Sequence, residues 1–70
     1  MFLTSASELG ALIRDRRKSV DVSQGDLASA VGIDQANLSR IERGTTAATL
    51  ETYLRLCKAL GLQISVAPRG

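Results

Sequence analysis

Five side chains between positions 35 and 43 carry chemistry suited to a flat, hydrogen-bonding surface: Gln35, Ala36, Ser39, Arg40 and Arg43. On a helix advancing about 100° per residue they share one arc, opposite Leu38 and Ile41. An amide fork, a methyl, a hydroxyl and two guanidiniums then point the same way. A glutamine amide pairs bidentately with adenine, an arginine fork with guanine, and an alanine methyl rests on the thymine methyl. Arg43, at the far end of the arc, suits a phosphate better than a base edge. The same face would equally serve as the solvated side of an ordinary amphipathic helix, so the elements around it must decide.

Those elements are compact. Residues 22–44 read VSQGDLASAVGIDQANLSRIERG. Ser23 is an N-cap, its hydroxyl placed to accept from an orphan backbone N–H, with Asp26 three residues on to complete a capping box. Leu27, Ala28 and Val31 form an apolar stripe at helical spacing. Gly32 stops that helix in the left-handed conformation, Ile33 plugs the core from the turn, and Asp34 caps a second helix from about 35 to 43 that Gly44 ends. Two short helices around a glycine turn is the geometry that pushes one helix into a DNA groove.

The flanks supply support. Ser5 and Glu8 form another capping box, opening a helix that ends near Lys18 or Ser19, with Leu9, Leu12 and Ile13 facing inward. Arg14, Arg16, Arg17 and Lys18 crowd its last turn, where cations complement the helix dipole. Thr49 caps a fourth helix, from about 50 to 60. Cys57 falls there at helical spacing with Leu50, Leu54 and Leu60 and reads as a small buried hydrophobe. Between these helices, Thr45 and Thr46 either hold a phosphate through amides and hydroxyls or belong to a plain exposed linker.

Composition excludes more than it selects. Seventy residues make one small domain with a modest core. Nine Lys and Arg against seven Asp and Glu leave a net charge of +2, so affinity for a polyanion depends on where the charges sit. With no histidine and one cysteine, zinc binding, disulfides and histidine-based catalysis fall away, and no catalytic or metal residue is assigned. No Gly-rich phosphate loop is present, and Asp34 and Glu42 have structural uses. We expect no enzyme and no cofactor. Phe2-Leu3 is too short for a signal peptide, and no apolar run approaches membrane-spanning length, so a cytoplasmic protein is expected, associated with the nucleoid when on DNA.

After Gly61, residues 62–67 alternate apolar and polar, with Leu62, Ile64 and Val66 on one face. A lone strand finds no partner in a helical monomer, and its open edge is a liability. Pairing with the same strand of a second copy, under two-fold symmetry, resolves both and sets two recognition helices at the half-sites of a palindrome. The expected fold is all-α, four helices plus a C-terminal β-strand pairing across a dimer. Residues 1–61 form the DNA-binding domain and 62–70 the dimerisation strand and tail.

Ser23-Gln24, Leu27-Ala28, Val31-Gly32-Ile33, Gln35, Leu38-Ser39-Arg40-Ile41-Glu42 and Gly44 together resemble the lambda-repressor-like, or Cro/C1-type, helix-turn-helix family, and the likeness runs from Leu9 to about Leu62. The resemblance implies a bundle of four or five helices with the third in the major groove. It implies that Gln24 binds a phosphate and props Gln35, that Arg17 pairs with Glu42, and that the loop at Thr45 and Thr46 meets a phosphate. LGLQISV after the fourth helix, with the FLTSASELG lead-in, looks like the HipB-type antitoxins. Those are dimeric repressors of their own operon that also bind a HipA-type serine/threonine kinase toxin. The implied partners are double-stranded palindromic operator DNA, a second copy, and such a kinase, with no membrane. A stand-alone regulator, or an adaptor that no longer binds DNA, would share the fold.

Overall fold

The computed structural model describes residues 5–68. Phe2, Leu3 and Thr4 of the lead-in, and the last two residues of the tail, lie outside them. Four helices follow in order: α1 (Ala6–Ser19), α2 (Gln24–Val31), α3 (Gln35–Arg43) and α4 (Leu50–Ala59).

Local chemistry marks most of the boundaries. Ser5, Ser23 and Thr49 sit in extended backbone, and their hydroxyls accept from the N–H groups of Glu8, Asp26 and Thr52. Each bond satisfies one donor that a helix start leaves orphaned. Asp34 departs from expectation. It occupies the N-cap of α3, yet its exposed carboxylate makes no cap hydrogen bond. Burial of Leu38, whose N–H donates to the Asp34 carbonyl at 3.0 Å, holds that turn instead. α2 and α3 close on left-handed glycines, Gly32 at φ 77° and Gly44 at φ 75°. Beyond each glycine the chain folds back: Ile33 N–H donates to the Ala28 carbonyl, and Thr45 N–H to the Arg40 carbonyl, both at 3.0 Å.

α3 lies between α1 and α2, and α4 packs on α2. All four helices feed one core: Ile13 from α1, Leu27 and Ala28 from α2, Leu38 and Ile41 from α3, and Tyr53, Leu56 and Cys57, with Leu60 just beyond, from α4. A β-carbon on Gly10 would run into the backbone carbonyl of Ile41. α1 and α3 therefore cross in backbone contact, and only glycine admits that approach.

Two expectations change. Leu50 and Leu54, grouped by spacing with Cys57 and Leu60, are 67% and 45% exposed. Tyr53 and Leu56 take the inward positions beside Cys57 and Leu60, because α4 docks on α2 rolled toward that neighbouring stripe. At the C-terminus, residues 62–68 form no strand. A strand exists only through ladder bonds to a neighbour, and no other described segment offers an edge. Leu62 and Ile64 pack half-buried against the core, while Val66 is 94% exposed.

Candidate nucleic-acid interface

Gln35, Ala36, Arg40 and Arg43 are exposed on the outer face of α3, with Ser39 half-buried at its margin. Leu38 and Ile41 on the opposite side are buried. Among the described residues, the guanidiniums of Arg40 and Arg43 have no intrachain partner. Both are free to meet an anion or a base edge.

What holds α3 in place is a polar knot beneath it. Arg17 of α1 donates through Nε and one terminal nitrogen to the two carboxylate oxygens of Glu42, at 2.8 and 3.0 Å. Its other terminal nitrogen donates to the Val22 carbonyl at 3.0 Å, and the Gln24 amide donates to Glu42 Oε1 at 3.1 Å. The Glu42 side chain is 1% exposed and that of Arg17 11%. The hydrogen bonds it donates to Glu42 raise the Arg17 pKa above its ordinary value, outweighing the opposing cost of burial. Arg17 therefore stays charged across the accessible pH range. A fully hydrogen-bonded buried pair adds little net stability over an apolar pair. Its use here is geometric: it ties α1, the turn after it, the start of α2 and the end of α3 to one point.

The sites expected from the sequence are placed unevenly. Arg17 and Glu42 are brought together. Gln24 is not hydrogen-bonded to Gln35, the residue it was expected to prop, because its amide is engaged by Glu42. Gln35 leans on Gly25, where a β-carbon would lie 3.3 Å from Gln35 Oε1. Thr45 also departs from expectation. Its N–H and its hydroxyl both donate to the Arg40 carbonyl, at 3.0 and 3.3 Å, completing the end of α3. Neither donor is left for a phosphate. Among the described residues, the amides of Thr46 and Ala47 have no intrachain acceptor, and both residues are exposed. They, rather than Thr45, are the open donors of this loop.

The sequence reading missed what anchors that loop. Tyr53, buried in α4, accepts from the Ala48 N–H at 3.1 Å through its hydroxyl. A tyrosine among leucines at core spacing was the available signal, since a buried phenol needs a polar partner. Cys57 is buried, and burial pushes its thiol pKa up. No described helix is long and apolar enough to cross a membrane.

Several known proteins are similar to this chain. A protein named ImmF control region 10 kDa protein, from Bacillus phage phi105, is 33% identical over 64 residues, covering 91% of this chain and 71% of its own. An uncharacterized HTH-type transcriptional regulator of Haemophilus influenzae is 38% identical over 61 residues, and the match spans 83% of this chain but only 62% of the relative. Among solved structures, one of a HipA-HipB-O2-O3 complex contains a chain that superposes with a TM-score of 0.85 at 24% identity, covering 100% of this chain and 99% of that one. At that identity the likeness is one of fold. Residues 8–69 match the helix-turn-helix domain family, and the chain accordingly belongs to that family of DNA-binding transcriptional regulators, a family that is typically non-enzymatic.

Proposed function

We propose that the protein is a dimeric, sequence-specific repressor that lays the outer face of α3 in the major groove. The observation that carries this reading is the exposed arc of Gln35, Ala36, Arg40 and Arg43, braced from below by the buried Arg17–Glu42 pair. Arg40 and Gln35 read base edges and Ala36 meets a thymine methyl, with Ser39 at the margin of the same contact. Arg43, Gln24 and Thr46 hold phosphates. Thr45 serves by shaping the loop.

Dimerisation is assigned to residues 62–70, through Leu62, Ile64 and Val66, leaving 1–61 as the DNA-binding part. A two-fold pair matches a palindromic operator. In the finer reading, the protein represses its own operon as a HipB-type antitoxin and binds a HipA-like kinase, acting in the cytoplasm and on the nucleoid. Supporting that is a fold likeness that extends over the whole chain to HipB in a HipA-HipB-O2-O3 complex. A stand-alone regulator is the second reading, supported by the Haemophilus influenzae relative, which is named an HTH-type transcriptional regulator.

The test is the mass of the protein in solution, then its binding to the DNA upstream of its own gene across a salt series. A dimer whose affinity falls steeply with salt supports the repressor, because each phosphate contact releases counterions. A monomer indifferent to that DNA overturns it. Arg40→Ala should cost about 1–3 kcal/mol of specific binding and relax preference at one base pair. Unchanged preference in that variant removes Arg40 from the base readers. Copurification with a kinase encoded beside the gene would separate antitoxin from stand-alone regulator.

A further inference from the structure

We infer that Arg16 is a positioning residue for the dimer: its guanidinium sets the direction in which the chain leaves α4, and so where the pairing segment stands. This rests on the dimer reading above. Arg16 belongs to the cluster of cations in the last turn of α1, yet its side chain serves a different helix. Arg16 Nε donates to the carbonyl of Leu60, the C-cap of α4, at 2.9 Å. The guanidinium runs on past that carbonyl along Gly61, where a β-carbon would lie 3.5 Å from its terminal nitrogen.

The contact falls where the chain changes course. Gly61 takes φ 70°, and the Leu62 N–H folds back to the Cys57 carbonyl at 2.8 Å. That bond fixes the local turn, and the side chains of Leu62 and Ile64 then lie against the core. α4 docks on α2 and α1 on α3. Among the described residues, the Arg16–Leu60 bond is the one side-chain hydrogen bond joining α1 to the end of α4. A cation at a helix C-terminus is favoured by the dipole, and Arg16 supplies it across the fold. Beyond Ile64, residues 65–68 are exposed and form no hydrogen bond with the rest of the described chain. The root of the tail is therefore clamped and its outer half left open. An error of direction at Gly61 is carried along every residue of the exposed segment that meets the second copy.

The experiment compares wild type, Arg16→Gln and Arg16→Lys by sedimentation equilibrium and thermal unfolding. Arg16→Gln removes the guanidinium, while lysine keeps a cation that can still reach a carbonyl. Arg16 is exposed, so both variants should fold and melt within a few degrees of wild type. The expected result is a dimer dissociation constant raised about tenfold or more by glutamine and restored to within about threefold by lysine. A dimeric wild type with an unchanged constant in Arg16→Gln overturns the role of Arg16 alone. So does a loss of dimer that merely follows a large loss of melting temperature and is not rescued by lysine. A wild-type chain that stays monomeric overturns the dimer reading and this inference with it.

Discussion

The seam between α1 and α3 and the end of α4 with its tail are built on opposite terms. At the seam, Gly10 brings two backbones into contact and Arg17, Glu42 and Gln24 close a buried hydrogen-bond network. No buried side-chain polar atom there, or elsewhere among the described residues, lacks a partner. Along α4 and its tail, Leu50 and Leu54 face solvent and Val66 is almost wholly bare. One region is complete within a single chain. The other exposes apolar groups that no described residue covers. The contrast separates a rigid mount for α3 from an apolar surface left uncovered among the described residues.

Breaking the mount should have the largest effect. Glu42→Ala leaves the Arg17 guanidinium buried without its counter-charge, at a cost of about 3–5 kcal/mol, visible as a large drop in the urea midpoint. Replacing both partners by apolar residues, Arg17→Met with Glu42→Leu, should recover most of that loss. If the single variant matches wild type, the knot is not what holds α3. Gly10→Ala comes next, near the upper end of the overpacking range at about 3 kcal/mol, because the obstacle is a backbone carbonyl that cannot rotate away. A melting temperature unchanged by that substitution would show that the helices separate freely at this crossing.

The open end should respond in the reverse sense. Val66→Asp adds a charge to a position bare in the monomer, so chemical stability of the monomer should hold while dimer dissociation rises at least tenfold, roughly the loss of one buried valine. Val66 is the cleaner choice than Ile64, which already packs on its own core. An unaltered dimer in the Val66 variant would place the interface elsewhere. The smallest effect belongs to Cys57. Burial raises its pKa, so above about pH 8.5, where an unfolded thiol ionises, the native chain keeps a proton that the unfolded chain has lost. Stability then falls as pH rises. Melting curves in reducing buffer from about pH 7.5 to 9.5 should decline more for wild type than for Cys57→Ala, by well under about 1 kcal/mol; parallel curves would dismiss the effect.

Much of this was legible in the residues. Ser5, Ser23 and Thr49 announce their helices, and Gly32 and Gly44 end theirs, because capping is settled within a few bonds of the residue itself. The outer arc of α3 followed from period alone. Asp34 shows the limit of that logic, since a residue of capping type can occupy the cap and leave it unmade. Leu50 and Leu54 show another. Periodicity finds a stripe, but α4 carries two adjoining apolar stripes, and only docking on α2 chose the one with Tyr53 and Leu56. Thr45 stands open in the sequence between a phosphate contact and a plain linker, and the end of α3 claims both of its donors.

The sequence alone determined the number of helices, their caps, the glycine turn between α2 and α3, and which side of α3 faces outward. All are consequences of short-range hydrogen bonding and of a 3.6-residue period. Tertiary structure alone decided that Gly10 is a crossing point, that Gln24 serves Glu42 instead of Gln35, and that Arg16 reaches from α1 to the Leu60 carbonyl at the C-cap of α4, 44 positions along the chain. Each joins groups distant in sequence, and their meeting depends on how whole helices pack, which no local pattern encodes.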